Sequence, residues 1–135
     1  YYGDEIGLEG GKDPECRKAF PWDALEQKDE LHRYLRSLIH WRKRLPMLRR
    51  GRYGCAFGGG GRGGMAFVRA LGEQRLAVVF NASATRRQVR VNAKQIGWRD
   101  GLILTDLLTD EQSIVSGDWL NVLLPPWSGA WLTLA

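Results

Sequence analysis

Apolar residues change their spacing once along this chain, near residue 50, and the change divides it. Before that point Leu31, Tyr34, Leu35, Leu38, Trp41 and Leu45 fall at i, i+3, i+4, i+7, i+10 and i+14. This is the single stripe of an amphipathic helix, predicted from about residue 28 to about residue 45. Asp23 or Asp29 suits its N-cap, and the acids Asp29 and Glu30 suit the positive end of its dipole. His40, Arg42, Lys43 and Arg44 suit the negative end, and Pro46 closes it. Ahead of the helix, residues 1–5 read as the end of a strand and residues 6–21 as a long loop rich in glycine.

From residue 51 onward the pattern is that of strands. MAFVRA (65–70), RLAVVFNA (75–82), RQVRV (87–91), LILTDLL (102–108) and WLNVLLP (119–125) are short alternating or continuous apolar runs. Gly, Asn, Asp and Ser separate them at the spacing of an antiparallel sandwich. Gly72 marks a hairpin turn between the first two, and PPWSGAWLTL supplies a last strand after a Pro-Pro stop. The run GGGGRGG (58–64) reads as a flexible connection. A glycine loop that cradles phosphate joins a strand to a helix and carries Lys and Ser or Thr, and that context is missing.

Composition adds limits. The chain has 135 residues, 44% of them apolar and 10% aromatic, which are globular values. No run approaches the roughly 18 apolar residues of a membrane helix, so no membrane partner is expected. Cys16 and Cys55 are sparse and far apart, which points to reduced thiols and a cytoplasmic protein, with a disulfide as the alternative. The net charge of +5 hides an asymmetry. Residues 1–30 carry nine acids and four bases, residues 31–99 sixteen bases and one acid, and residues 100–135 five acids and no Lys or Arg. Such a basic block can meet phosphates. Its acidic flanks offer internal partners instead, and no nucleic acid is expected.

The most specific signal lies in the first residues, YYGDEIGLEGGKDPECRKAFPWD. This segment resembles the one that follows the last strand of the catalytic barrel in the alpha-amylase family of glycoside hydrolases. Within that family it is similar to the neopullulanase, cyclomaltodextrinase and maltogenic amylase branch. The run LIHWRKRLPMLRRGRY resembles the family's last barrel helix and its exit, and PPWSGAWLTL is similar to the end of its C-terminal domain. The resemblance implies a mainly β chain: an antiparallel β-sandwich C-terminal domain (51–135) preceded by the last strand, loop and helix of a (β/α)8 barrel (1–50). A complete barrel needs about 250 residues and does not fit in this chain. AFPW (19–22) stands where relatives often carry Pro and Met before the Trp, and Lys12 before DP is similar to amylopullulanase-like relatives.

The resemblance also implies chemistry. In the family the Asp and Arg of DPxxR contact a glucose unit on the non-reducing side of the cleavage point, a role carried here onto Asp13 and Arg17. A carboxylate accepts from sugar hydroxyls and a guanidinium offers a fixed fork of donors. A structural ion pair bracing the loop is the alternative. Trp22, inside the same segment, is the candidate aromatic at the rim, whereas Trp98, Trp119, Trp127 and Trp131 are expected to pack in the core or between layers.

No catalytic residue is expected in this chain. Asp4 and Glu5 are adjacent, and neighbours on a strand point to opposite faces, so they cannot share one scissile bond. His32 and His40 lack a third ligand, and Ser128 lacks a GxSxG frame, so neither a metal, a cofactor nor a serine nucleophile is expected. The intact parent would be a retaining hydrolase or transglycosidase of maltodextrin, cyclodextrin or pullulan. Its partners would be the α-glucan and the rest of the barrel. Deprived of that barrel, the helix stripe is expected to drive self-association. A non-catalytic carbohydrate-binding sandwich, or a purely structural one, is the alternative.

Overall fold

The computed structural model describes residues 1–23, 29–59 and 63–134, which divide into two compact units, Tyr1–Arg44 and Leu45–Ala135. The expected caps of the long helix and Gly60–Arg62 of the glycine run lie at or outside the edges of the described residues.

In the first unit the expected strand at residues 1–5 does not form. A strand needs a hydrogen-bonded neighbour, and the chain instead turns at Gly3, whose φ of 88° suits a residue without Cβ. The Gly3 carbonyl accepts from Ile6 N at 3.1 Å and Leu8 N at 2.9 Å, which closes a 3-10 turn over Asp4–Ile6. Ile6 is buried. A second 3-10 turn, Glu15–Arg17, lies in the loop, and helix α1 spans Asp29–Arg44. It ends just before Pro46, where the sequence placed its stop. Of its stripe, Leu35, Leu38 and Trp41 are half-buried while Leu31 and Tyr34 are exposed.

The second unit opens with the short helix α2 (Pro46–Arg50). Nine strands follow among the described residues: β1 Arg52–Cys55, β2 Phe57–Gly59, β3 Gly64–Leu71, β4 Gln74–Asn81, β5 Arg87–Asn92, β6 Ile103–Asp106, β7 Gln112–Ser116, β8 Trp119–Leu124 and β9 Ser128–Thr133. They pair antiparallel in the order β1-β3-β4-β9-β6-β7-β8-β5-β2. The ribbon folds over at β7, which pairs with β6 on one side and β8 on the other, so two layers face each other as a sandwich. Strands β1, β2 and β7 were not foreseen. They are short and glycine-rich or polar, and pairing rather than apolar periodicity makes them strands.

Strand β4 explains the layering. Its continuous run LAVV is buried on both faces, as expected of a central strand covered twice. Ala77 and Val79 point to the inter-layer core with Ala66, Leu104, Val91 and Leu120. Leu76 and Val78 point the other way, under Met47 of α2 with Phe67, Phe80 and Trp131 around them. At one buried Leu or Val side chain per roughly 1.5–3 kcal/mol, these two clusters carry the stability of the unit. Trp98 joins the inter-layer core as expected, but Trp127 does not. It is 71% exposed on the turn between β8 and β9, because the chain reverses there at the sandwich end.

A buried amide ties that end together. Asn81, 1% exposed, donates through Nδ2 to Thr85 O at 2.8 Å, Leu124 O at 3.3 Å and Pro125 O at 2.7 Å. Its Oδ1 accepts from the Ser83 hydroxyl at 2.7 Å, and Ser83 Oγ in turn accepts from Arg87 Nε at 2.8 Å. Removing the amide takes a donor from three carbonyls, that of buried Leu124 among them, and the acceptor of the Ser83 hydroxyl, so Asn81→Ala is expected to cost roughly 1–3 kcal/mol. Urea unfolding of the variant beside the parent chain measures it; a loss below about 0.5 kcal/mol would show that water replaces the amide.

Candidate functional site

The loop of the first unit is built by close backbone approach. At Gly10 a Cβ would lie 3.0 Å from Cys16 Cα, a contact tight enough that a side chain there would push the two stretches of loop apart by a few tenths of an ångström. Glu15 N donates to Lys12 O at 2.7 Å and Arg17 N to Pro14 O at 3.0 Å, which winds the DPECR stretch into its turn. The Asp13–Pro14 peptide bond is cis. Further ties are Lys18 Nζ donating to Glu9 O at 3.3 Å and the Tyr2 hydroxyl donating to Lys18 O.

This winding brings Asp13 and Arg17 together. Arg17 Nη2 donates to Asp13 Oδ2 at 2.7 Å, and both side chains remain more than half exposed. The guanidinium carbon also lies 5.9 Å from the centre of the Tyr1 ring, within reach of a cation–π contact. The pair occupies one carboxylate oxygen and one guanidinium nitrogen, leaving each group capacity for further hydrogen bonds. Vicinal sugar hydroxyls, one donating and one accepting, match that remaining capacity.

Trp22 is 73% exposed, and its ring packs on Phe20 with centroids 4.7 Å apart and planes at 54°. It thus presents an aromatic surface near the end of the loop segment, and its ring neighbour is Phe20 and not the ion pair. Asp4 and Glu5 are both exposed on the 3-10 turn. They sit on a turn rather than on the strand assumed above. The contribution of Tyr1 under Arg17 was not foreseen: it joins residues distant in sequence, and only the loop's path brings them together. Cys16 and Cys55 are free thiols, and no cluster of three or more potential metal ligands occurs among the described residues. No described helix is long and apolar enough to cross a membrane.

Known proteins share both the sequence pattern and the fold of this chain. The chain is 34% identical over 128 residues to a cyclomaltodextrinase of Geobacillus thermopakistaniensis, covering 94% of this chain and 21% of that protein. It is 33% identical over 129 residues to neopullulanase 2 of Thermoactinomyces vulgaris, covering 96% and 22%. Among solved structures it superposes on an Anoxybacillus alpha-amylase with a TM-score of 0.81 at 26% identity, covering all of this chain and 28% of that one. No family model matches the chain. The chain therefore spans about a fifth of the length of the curated relatives it matches. Its loop motif, its sandwich and these matches together place it with the alpha-amylase family of glycoside hydrolases, as the counterpart of one segment of such an enzyme.

Proposed function

We propose that this chain works as part of a retaining α-glucan hydrolase or transglycosidase, in which Asp13 and Arg17 hold a glucose unit of the substrate. The observation that carries the proposal is the 2.7 Å Asp13–Arg17 pair, displayed on an exposed loop in a chain similar over nearly its whole length to a cyclomaltodextrinase. Maltodextrin, cyclodextrin and pullulan are the substrate class on this reading. Asp13 accepts from one hydroxyl, Arg17 donates to its neighbour, and Trp22 offers a face to the apolar side of a ring. The two carboxyl groups that flank the scissile bond, roughly 5 Å apart in a retaining enzyme, come on this reading from the rest of the enzyme. The same rest of the barrel covers the exposed face of α1. The few unpaired cysteines fit a reducing compartment, so the cytoplasm is the proposed location.

Three outcomes follow from this assignment. The purified 135-residue chain is expected to release no reducing sugar from maltodextrin. Release that disappears on changing Asp4 or Glu5 would overturn the division of labour. In the complete enzyme, Arg17→Ala is expected to raise KM for long maltodextrins about tenfold while leaving cleavage of a minimal substrate nearly unchanged. Equal losses on both substrates would mean that Arg17 only braces its loop. The isolated chain is expected to self-associate through Leu31, Tyr34 and their neighbours on α1. Sedimentation should then show a shift to monomer in Leu35→Glu, and a monomeric parent chain would count against the barrel as the cover of this face.

A further inference from the structure

The layer of β1, β3 and β4 carries two arginines on its core-facing side, at the end where its apolar residues stop. The three strands pair in unbroken register, so Gly54, Val68 and Ala77 form one row across them, and Arg52, Ala70 and Arg75 form the next. Val68 and Ala77 are buried in the inter-layer core. Positions two apart on a strand share a side, so the row of Arg52 and Arg75 continues that same face. Tyr53, between the rows on β1, turns to the other face and packs its ring on Phe67 with centroids 5.3 Å apart. The 3-10 turn Lys94–Ile96, which follows β5, closes the other side, with Ile96 buried in the core. Between this turn and the arginine row lies a groove of about 410 Å³, wholly within the second unit.

Arg52, Arg75 and Lys94 line this groove, and no Asp or Glu is among the described residues that do. Arg75 Nη1 donates to the carbonyls of Gly72 and of Gln74, the latter at 3.0 Å. That anchors the guanidinium and leaves Nε and Nη2 without a partner among the described residues. Lys94 Nζ donates to Asp118 Oδ2 at 3.2 Å, but both side chains are more than half exposed, so water screens the pair. Arg52 is exposed and has no hydrogen bond or ion pair among the described residues. Three cations against one exposed carboxylate leave the groove short of negative charge. Protection of an edge strand against stray pairing would account for Arg52 on β1. It does not account for Arg75, because β4 lies between β3 and β9. Separated by Ala70 on the strand between them, the Arg52 and Arg75 Cα positions are roughly 10 Å apart, a span that two guanidinium forks can close on one anion.

We propose that this groove binds the phosphate group of a small ligand, with Arg52 and Arg75 donating to its oxygens and Lys94 adding a third positive charge. A phosphate offers three or four acceptor oxygens and up to two negative charges, enough for two guanidinium forks and an ammonium at once, where a carboxylate has only two oxygens. The groove falls at the small end of ligand pockets, so it suits a free phosphate or a phosphorylated monosaccharide. Nothing in this site depends on the Asp13–Arg17 loop or on the function proposed above.

The test is titration of the 135-residue chain with inorganic phosphate and with glucose 6-phosphate at low salt, followed by amide chemical shifts. Saturable binding at roughly millimolar ligand is expected, with shifts confined to residues 52–54, 68–75 and 94–97. Arg52→Gln changes an exposed side chain, so it should melt like the parent chain and bind about tenfold more weakly. Arg75→Lys keeps the charge but gives up the fork, and should weaken binding several-fold. Arg86→Gln removes the same charge at the other end of β5 and should bind like the parent chain. The site is overturned by absence of saturation, by Arg52→Gln binding like the parent chain, by Arg86→Gln weakening binding as much as Arg52→Gln, or by shifts outside the groove. Tighter binding of glucose 6-phosphate than of inorganic phosphate would identify a phosphate ester as the ligand, and equal affinity the free ion. Equal affinity for acetate would overturn the assignment to phosphate and leave a site for any small anion.

Discussion

Water reaches neither face of β4, and the second unit is organised around that constraint. A strand with alternating polarity needs one cover; LAVV needs two, and a single sheet cannot supply both. The chain meets the demand by folding its ribbon over at β7, which brings β5 and β8 onto one face, and by laying α2 with Leu45 and Leu48 on the other. The antiparallel partners β3 and β9 then have fixed registers, because a slip of one residue would exchange the Ala77, Val79 face for the Leu76, Val78 face. Ala77 packs among inter-layer residues where Leu76 would be overpacked, so the two faces are not interchangeable.

The first unit follows a different logic. Its loop buries few side chains, and what shapes it is backbone hydrogen bonding around glycines that permit close approach. Such a segment holds a conformation without being hidden, which is what a surface that meets a ligand requires. The two kinds of construction match the two kinds of residue they carry: aliphatic groups whose task is finished once buried, and charged or aromatic groups left available.

What could be read from the sequence follows the same division. The long central strands and α1 were legible because burial imposes a period, on two faces for β4 and on one stripe for the helix. Strands β1, β2 and β7 were not, since RYGC, FGG and QSIVS become strands through their neighbours and carry little apolar pattern of their own. The supposed strand at residues 1–5 failed for the converse reason: an extended-looking run with no partner folds into a turn at Gly3. At the site, the Asp13–Arg17 pair was legible from spacing across a proline turn. The position of Trp127 was not, because its exposure depends on where the β8 to β9 reversal falls at the end of the sandwich. A Trp flanked by apolar strands reads as core until the turn is placed.

Energetics bears on whether the Asp13–Arg17 pair is a brace or a receptor. Both side chains are more than half exposed, and exposed ion pairs contribute only about 0–1 kcal/mol. The loop meanwhile has its own ties: the Lys12–Glu15 and Pro14–Arg17 backbone bonds, the Lys18 and Tyr2 contacts across it, and the Gly10 approach to Cys16. Against these, one solvent-screened pair adds little to the rigidity of the backbone. Its stronger effect is on the side chains themselves. Held by Asp13 on one edge and set over the Tyr1 ring, the Arg17 guanidinium is oriented before a ligand arrives, which offsets part of the rotamer cost of up to about 1.5–2 kcal/mol for a free Arg, by no more than the pair itself is worth. On the function proposed above, the pair serves as preorganisation for a hydroxyl-bearing ligand more than as a support for the loop, and the stability it does not supply is supplied by the backbone beneath it.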